Sequence, residues 1–178
     1  MIDKYYNGVI EQVYNRVGKT ERNIVMASYN NDFSIENLEM IKRYQENDDS
    51  VFFTWHEFGY RELTGAYEPF LDTICDMFRK YRDGDFDTFL TECGVYELHR
   101  EVFRSYYENG ICEREEGVLL NEVEYEQGRM TEAIAAMLKA LAKTHPIVLV
   151  INRFQMASRS AFELVYALIT NPDPNIGL

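Results

Sequence analysis

The sequence predicts a three-layer α/β/α fold built on a mostly parallel β-sheet. Residues 23–28 form a short apolar run that does not alternate, which is typical of a strand buried on both faces. Residues 51–55 and 147–151 are two further β-rich runs, and the second is an uninterrupted apolar stretch of β-branched residues and leucine. Segments with apolar residues at helical spacing separate these runs, and such alternation favours parallel strands joined by helices.

The helices are predicted from apolar spacing and from residues that end helices. Residues 3–17 carry an apolar face and are followed by Gly18, a typical helix stop. Pro69 suits a first helical turn, and Asn109-Gly110 suits a helix end. Further helices are predicted at about residues 34–44, 69–81, 85–92, 95–108, 130–145 and 158–170. The apolar residues of the last helix are Ala161, Phe162, Val165, Leu168 and Ile169.

The length and the charge limit the domain count and the partner classes. The 178 residues suit one domain, which we expect to be the N-terminal fragment of a longer protein with a helical insertion at residues 66–122. A net charge of −12 repels nucleic acid and anionic lipid, so neither is an expected partner. We predict a cytoplasmic location, because the sequence shows no signal peptide and no apolar run of membrane-spanning length.

The three cysteines, Cys75, Cys93 and Cys112, are odd in number and widely spaced. They form no Cys-x-x-Cys pair, so neither a disulfide framework nor a zinc site is indicated. We interpret them as packing residues.

A phosphate-binding loop is expected directly after the first strand, but the residues there lack its chemistry. Asn30 and Asp32 replace glycines, Phe33 replaces the lysine, and Ser34 alone suits its position. Asp32 places a carboxylate where a helix N-terminus attracts anions, so the chain caps its own helix. Taken alone, the segment also fits an ordinary capped helix start. The candidate nucleotide-binding positions here are Asn30, Asn31, Asp32, Phe33 and Ser34.

Two other sets of residues are weaker candidates. Gly18-Lys19-Thr20 ends like a phosphate-binding loop but precedes a strand, so a helix cap and surface turn is expected. His56 is expected to be a hydrogen-bonded loop residue after the second strand. Glu97, His99 and Glu101 are spaced by two positions along the sequence. Residues at this spacing do not share a helix face, so these three do not form a metal site. Solvent-facing helix positions explain Glu124, Glu126 and Glu163.

The third strand and the residues after it, Pro-Ile-Val-Leu-Val-Ile-Asn-Arg-Phe-Gln-Met-Ala-Ser-Arg-Ser at 146–160, resemble the Walker B region of STAND and AAA-type regulatory ATPases. Asn152 and Arg153 occupy the two acidic positions of that family, and residues 156–158 occupy its Trp-Ala-Asp place. Residues 128–146 resemble the helix before this strand, and residues 67–71 resemble a segment that follows the second strand.

The resemblance implies a P-loop NTPase-like fold whose reacting groups are missing. In the family, the first acid holds Mg²⁺ and the second polarises the attacking water, so Asn152 and Arg153 imply loss of hydrolysis. We therefore predict a catalytically inactive regulatory or scaffold module of a bacterial-type signal-transduction protein, with no cofactor and no metal. Its expected partners are proteins or downstream domains of the same chain, and a homodimer is possible. A switch domain that retains ATP with Mg²⁺ and a plain protein-interaction domain are the alternatives.

The resemblance also implies how the sheet is completed. In the family, the strand that would begin at Ile176 lies between the first and third strands, and this chain ends at Leu178. We expect either that the first and third strands pair directly or that a second copy fills the gap.

Overall fold

The computed structural model describes residues 2–19, 50–58, 67–110 and 123–178. The predicted strand at 23–28 and the predicted helix at 34–44 lie outside these residues. A 3₁₀ turn, Phe154–Met156, follows the second strand. In chain order the elements are α1 (Ile2–Arg16), β1 (Phe52–Glu57), α2 (Glu68–Tyr81), α3 (Phe86–Glu92), α4 (Glu97–Asn109), α5 (Val123–Ala142), β2 (Ile147–Asn152), α6 (Arg159–Thr170) and β3 (Ile176–Gly177).

The three described strands form one parallel sheet in the order β1-β2-β3. The register pairs Phe52 with Ile147 at one end of β1 and Glu57 with Asn152 at the other. This confirms the predicted α/β class and parallel sheet. Ile147 and Val148 have β1 on one side and β3 on the other, so both edges of β2 are occupied there. Direct pairing of the first and third predicted strands is therefore wrong at this end of β2, because residues 176–177 pair there instead.

Helices cover both faces of the described sheet. Successive strand residues point to opposite faces, so the side chains of β2 divide between two hydrophobic clusters. Ile147 and Leu149 belong to the larger cluster, which includes buried residues of α2, α5 and α6. Val148 belongs to the smaller cluster with Phe53 of β1, Ile10 and Val13 of α1, and Val17 directly after α1. The described part of the chain thus has a helical layer on each side of its sheet.

The end of α1 is attached to the loop before β3. Gly18 adopts the left-handed conformation at φ 75°, and its N–H donates to the Pro174 carbonyl at 2.7 Å. Gly18 therefore ends α1, as predicted, and Lys19 continues the turn. A Cβ on Gly18 would lie 3.3 Å from Cγ of Pro146, so the turn also depends on a small residue.

The helices between β1 and α5 begin and end close to the predicted positions. Asp85 caps α3, since its Oδ2 accepts the Thr88 N–H at 2.9 Å. Gly110 ends α4 in the left-handed conformation, and Pro69 lies in the first turn of α2. These helices lie within the predicted insertion at residues 66–122, whose status as a separate unit stays a prediction.

The free cysteines of the described residues are packing residues, as predicted. Cys75 is buried in the larger cluster and Cys93 is half-buried against it. Burial raises the pKa of the Cys93 thiol to about 11, so this thiol stays protonated at neutral pH. Cys112 lies outside the described residues. No helix in the described ranges has the length and apolar content that a membrane span requires.

Candidate functional site

The candidate site lies at the carboxyl ends of β1 and β2. The register places Glu57 opposite Asn152, and the Phe58 N–H donates to the Asn152 carbonyl at 3.1 Å. The two strands therefore end together at one edge of the sheet. This is the edge at which open α/β sheets bind their ligands, because helices and loops leave a crevice there. The structure thus places Asn152 and Arg153 where the sequence pattern predicts a site.

Asn152 and Arg153 form a tight turn at the end of β2. The Asn152 side-chain Oδ1 accepts the Arg153 backbone N–H at 2.9 Å. Arg153 is the one non-glycine residue with positive φ in the described ranges, at φ 53° and ψ 38°. A left-handed conformation costs an L-residue about 1–2 kcal/mol, so the surrounding bonds must hold it. The turn directs the chain out of the sheet and into the 3₁₀ turn Phe154–Met156.

These two residues do not fit a divalent cation at the end of β2. Mg²⁺ takes hard oxygen ligands, chiefly carboxylates, in near-octahedral geometry. Asn152 offers a neutral amide oxygen that already accepts a backbone N–H, and Arg153 brings a positive charge. In the portions of the chain that the structure describes, no group of three or more His, Cys, Asp or Glu residues is placed to hold a metal ion.

A serine caps the start of α6. Ser158 caps the helix, since its Oγ accepts the Ala161 N–H at 3.3 Å. This confirms the predicted helix start near residue 158. One turn later, Glu163 pairs with Nε of Arg159 at 2.8 Å on the helix surface. Glu163 therefore lies on a solvent-facing position, as predicted.

A row of aromatic rings connects the site to the surface of α6. The Phe58 and Phe154 ring centroids are 6.3 Å apart, and those of Phe154 and Phe162 are 4.4 Å apart. Phe58 is buried and Phe154 half-buried, whereas Phe162 is 43% exposed. His56 meets Phe58 edge to face at 5.3 Å. The sequence analysis did not identify this row.

Two of the apolar residues named for the last predicted helix are exposed in α6. Phe162 is 43% and Ile169 is 42% exposed. The residues that bury the helix are Ala161, Leu164, Val165 and Leu168, whose spacing of three and four already completes one helix face. Phe162, Tyr166 and Ile169 follow the same spacing one position further round the helix. This second stripe is the signal in the sequence that marks the exposed surface.

The structure tests the predictions for His56 and for the residues around His99, whereas it does not test those for residues 30–34. The prediction that His56 follows the strand is wrong, because β1 continues to Glu57 and His56 pairs with Ile151 of β2. His99 is buried while Glu97 and Glu101 are exposed, which confirms that these three do not share a helix face. Residues 30–34, the predicted phosphate loop, lie outside the described residues. The positions of Asn30, Asn31, Asp32, Phe33 and Ser34 relative to Asn152 and Arg153 therefore stay predictions.

Comparisons with known proteins give no relative for this chain. No protein-family model, no curated protein and no solved structure matches it. The resemblance to regulatory ATPases therefore depends on residues 67–71 and 128–160 of the sequence. The structure adds an α/β fold with a parallel sheet in which β2 lies between two other strands.

Proposed function

We propose that the chain is a catalytically silent NTPase-like module of a signal-transduction protein and acts as a scaffold for protein contacts. The observation that carries this proposal is the Asn152–Arg153 turn at the carboxyl end of β2. In an NTPase of this type, carboxylates at that end of the sheet hold the metal and orient water. Here the same positions carry an amide that bonds to the backbone and a guanidinium.

Electrostatics explains why Asn152 and Arg153 disfavour ATP hydrolysis. Phosphoryl transfer depends on a metal ion that bridges the β- and γ-phosphates and neutralises their developing charge. A guanidinium next to the strand end repels that metal, and the neutral Asn152 oxygen replaces a carboxylate. The sequence also has Phe33 where a lysine would contact the phosphates. Both sets of replacements act in the same direction, against binding and against hydrolysis.

The tight packing of β2 supports a role as a scaffold. Ile147, Val148 and Leu149 are each almost fully buried, so the strand retains its packing although the acids after it are absent. The surface of α6 offers a place for a partner, because three large apolar side chains are exposed there. A module with an intact core and such a surface is suited to protein contacts.

A phosphate-release assay tests the proposal. We expect the complete chain with Mg-ATP to release no phosphate above the rate of the buffer. Asn152→Ala and Arg159→Ala provide matched variants, because Asn152 shapes the end of β2 and Arg159 is an exposed residue of α6. Turnover that Asn152→Ala abolishes and Arg159→Ala retains would overturn the proposal.

A further inference from the structure

Asn109 and Gly110 form an Asn-Gly pair at the exposed end of α4. Asn109 is the last residue of the helix, and Gly110 follows it in the left-handed conformation at φ 71°. Both residues are exposed. Within the described part of the chain, no hydrogen bond is made to the Asn109 side-chain amide. This side chain can therefore change rotamer in water without breaking a bond.

An asparagine that precedes a glycine can lose its side-chain amide to the backbone. The glycine nitrogen attacks Cγ of the asparagine and gives up its proton, the bond from Cγ to Nδ2 breaks, and the amide leaves as ammonia. Water then opens the resulting succinimide ring at either carbonyl and gives aspartate or isoaspartate. Glycine favours the attack, because it has no Cβ to hinder its nitrogen and its backbone rotates easily.

In the described structure, one hydrogen bond holds the Gly110 nitrogen away from this reaction. Its N–H donates to the Tyr106 carbonyl at 2.8 Å, which is the last bond of the α4 ladder. Attack on Asn109 requires that this bond opens and that the backbone between the two residues rotates. Bonds at a helix end open at little cost, because no further turn has to unwind with them.

The preceding residues of α4 are fixed by contacts, so the opening stays local. Tyr106 is buried, and its hydroxyl donates to Oδ1 of Asp72 in α2 at 2.6 Å. The ring of Tyr107 stacks on that of Phe86, with 4.2 Å between the centroids. Asn109 lies beyond both contacts. The helix can therefore lose its last bond while the rest of α4 stays packed.

A second Asn-Gly pair, Asn7-Gly8, has a different setting. It lies inside α1, which runs from Ile2 to Arg16, so helical residues flank it on both sides. The backbone N–H groups there belong to the bonds of the helix interior. Attack on Asn7 therefore requires α1 to unwind, whereas attack on Asn109 requires the opening of one terminal bond.

We propose that Asn109 is a site of spontaneous deamidation in the folded protein and that Asn7 is protected by its helix. The reaction consumes water alone and does not depend on the proposed function. It adds one negative charge to a molecule that already carries −12. The new carboxylate lies beside Glu108 and the last carbonyls of α4, where the helix dipole disfavours an anion. Deamidation thus weakens the end of α4 irreversibly as the protein ages.

Peptide mapping of the ageing protein tests the proposal. The complete chain is kept at mildly alkaline pH, which favours the attacking nitrogen, and samples are digested with trypsin and read by tandem mass spectrometry. The peptide 105–114 reports on Asn109, and the peptide 5–16 reports on Asn7. We expect Asn109 to deamidate several-fold faster than Asn7 in the folded chain, and both to react at similar rates in concentrated urea.

Two results of this experiment would overturn the proposal. One is equal rates at Asn109 and Asn7 in the folded chain, which would show that the helix end has no effect. The other is an Asn109 that stays intact in the folded chain while the sample in urea reacts, which would show that α4 does not open at its end.

Gly110→Ala tests whether the Gly110 nitrogen is the attacking atom. A Cβ at this position meets no atom within 4 Å, but it hinders the nitrogen and strains the left-handed conformation. Gly8→Ala is the matched control, because its Cβ also meets no atom within 4 Å. We expect Gly110→Ala to slow deamidation of Asn109 several-fold and Gly8→Ala to leave it unchanged, with circular dichroism showing that both are folded.

The direction of the Gly110→Ala effect separates chemistry from structure. A helix end that is only loosened by the strained alanine would expose Asn109 more and would speed its deamidation. A slower reaction therefore supports attack by the Gly110 nitrogen. A Gly110→Ala protein that deamidates at Asn109 as fast as the wild type, or faster, would contradict the proposal.

Discussion

At the scale of single residues, Gly177 shows how the absence of a side chain allows α1 to pack on the sheet. A Cβ on Gly177 would lie 2.6 Å from Cγ1 of Val13 and 3.4 Å from Cγ2 of Val148. Real Cβ atoms do not approach so closely, so Gly177→Ala must displace α1 or β3 or turn the Val13 side chain away from its preferred rotamer. We expect this substitution to lower the free energy of unfolding by about 1–3 kcal/mol, as measured by urea denaturation.

Two further variants separate this contact from the general effect of replacing glycine. Gly128→Ala in α5 meets no atom within 4 Å and should raise the free energy of unfolding by about 0.5–1 kcal/mol, because alanine favours a helix. Val13→Ala should partly relieve Gly177→Ala in the double variant, since it removes the clashing methyl group. A Gly177→Ala protein as stable as the wild type would show that α1 does not pack as described.

Individual caps and stops could be predicted from the sequence, whereas the turn at Arg153 could not. Gly18, Gly110 and Ser158 act as expected, because their roles depend on local backbone chemistry. The left-handed conformation of Arg153 is held by the Asn152 Oδ1 bond and by the following 3₁₀ turn. Arginine has no local preference for that conformation, so the sequence around it gave no signal.

At the scale of secondary-structure elements, a hydrogen bond between Tyr106 and Asp72 joins α4 to α2. The Tyr106 hydroxyl donates to Oδ1 of Asp72 at 2.6 Å. We expect Tyr106→Phe to lower the free energy of unfolding by about 1 kcal/mol, because Asp72 is exposed and water replaces the lost donor. Tyr166→Phe, measured in dilute protein, removes an exposed hydroxyl and should leave the stability unchanged. Equal stabilities of the wild type and Tyr106→Phe would contradict the prediction.

Tyr106 also makes the free energy of unfolding depend on pH. Burial, followed by the hydrogen bond to Asp72, raises the pKa of Tyr106 above its ordinary value. The folded state therefore holds this proton more tightly than the unfolded state does. The contribution of the protonated Tyr106 hydroxyl to stability is complete below about pH 10 and decreases as the pH rises further. Urea denaturation at a series of alkaline pH values should show a smaller loss of stability for Tyr106→Phe than for the wild type.

Element boundaries show where periodicity is informative and where it is not. The predicted helix at 69–81 agrees closely with α2, because its apolar residues repeat at helical spacing throughout. By contrast, α5 begins at Val123, seven residues before the predicted start, because residues 123–129 are mostly polar. The strand β1 extends past residue 55 because β2 offers it hydrogen-bonding partners as far as Asn152. Such pairing is a tertiary effect that one strand's sequence does not show.

At the scale of the whole molecule, the alternation of strands and helices was sufficient to predict a parallel sheet with helical layers. The position of β3 beside β2 is the one that the resemblance implies for the strand beginning at Ile176, whereas a strand of two residues has no periodicity that could predict its place. The exposure of Phe162, Tyr166 and Ile169 on α6 could not be predicted, for a related reason. Helical spacing identifies an apolar face, and the packing of the complete molecule decides which face is buried.

Calorimetric titration of the complete chain with Mg-ATP tests the central claim most directly, because it measures binding whether or not hydrolysis follows. In the proposed NTPase-like module, Asn152 and Arg153 occupy the positions where carboxylates would hold the metal, and Phe33 occupies the position of a lysine that would contact the phosphates. We expect no saturable heat of binding as ATP is raised to about millimolar concentration. Saturable binding of Mg-ATP in the micromolar range would contradict the account and identify a nucleotide switch instead.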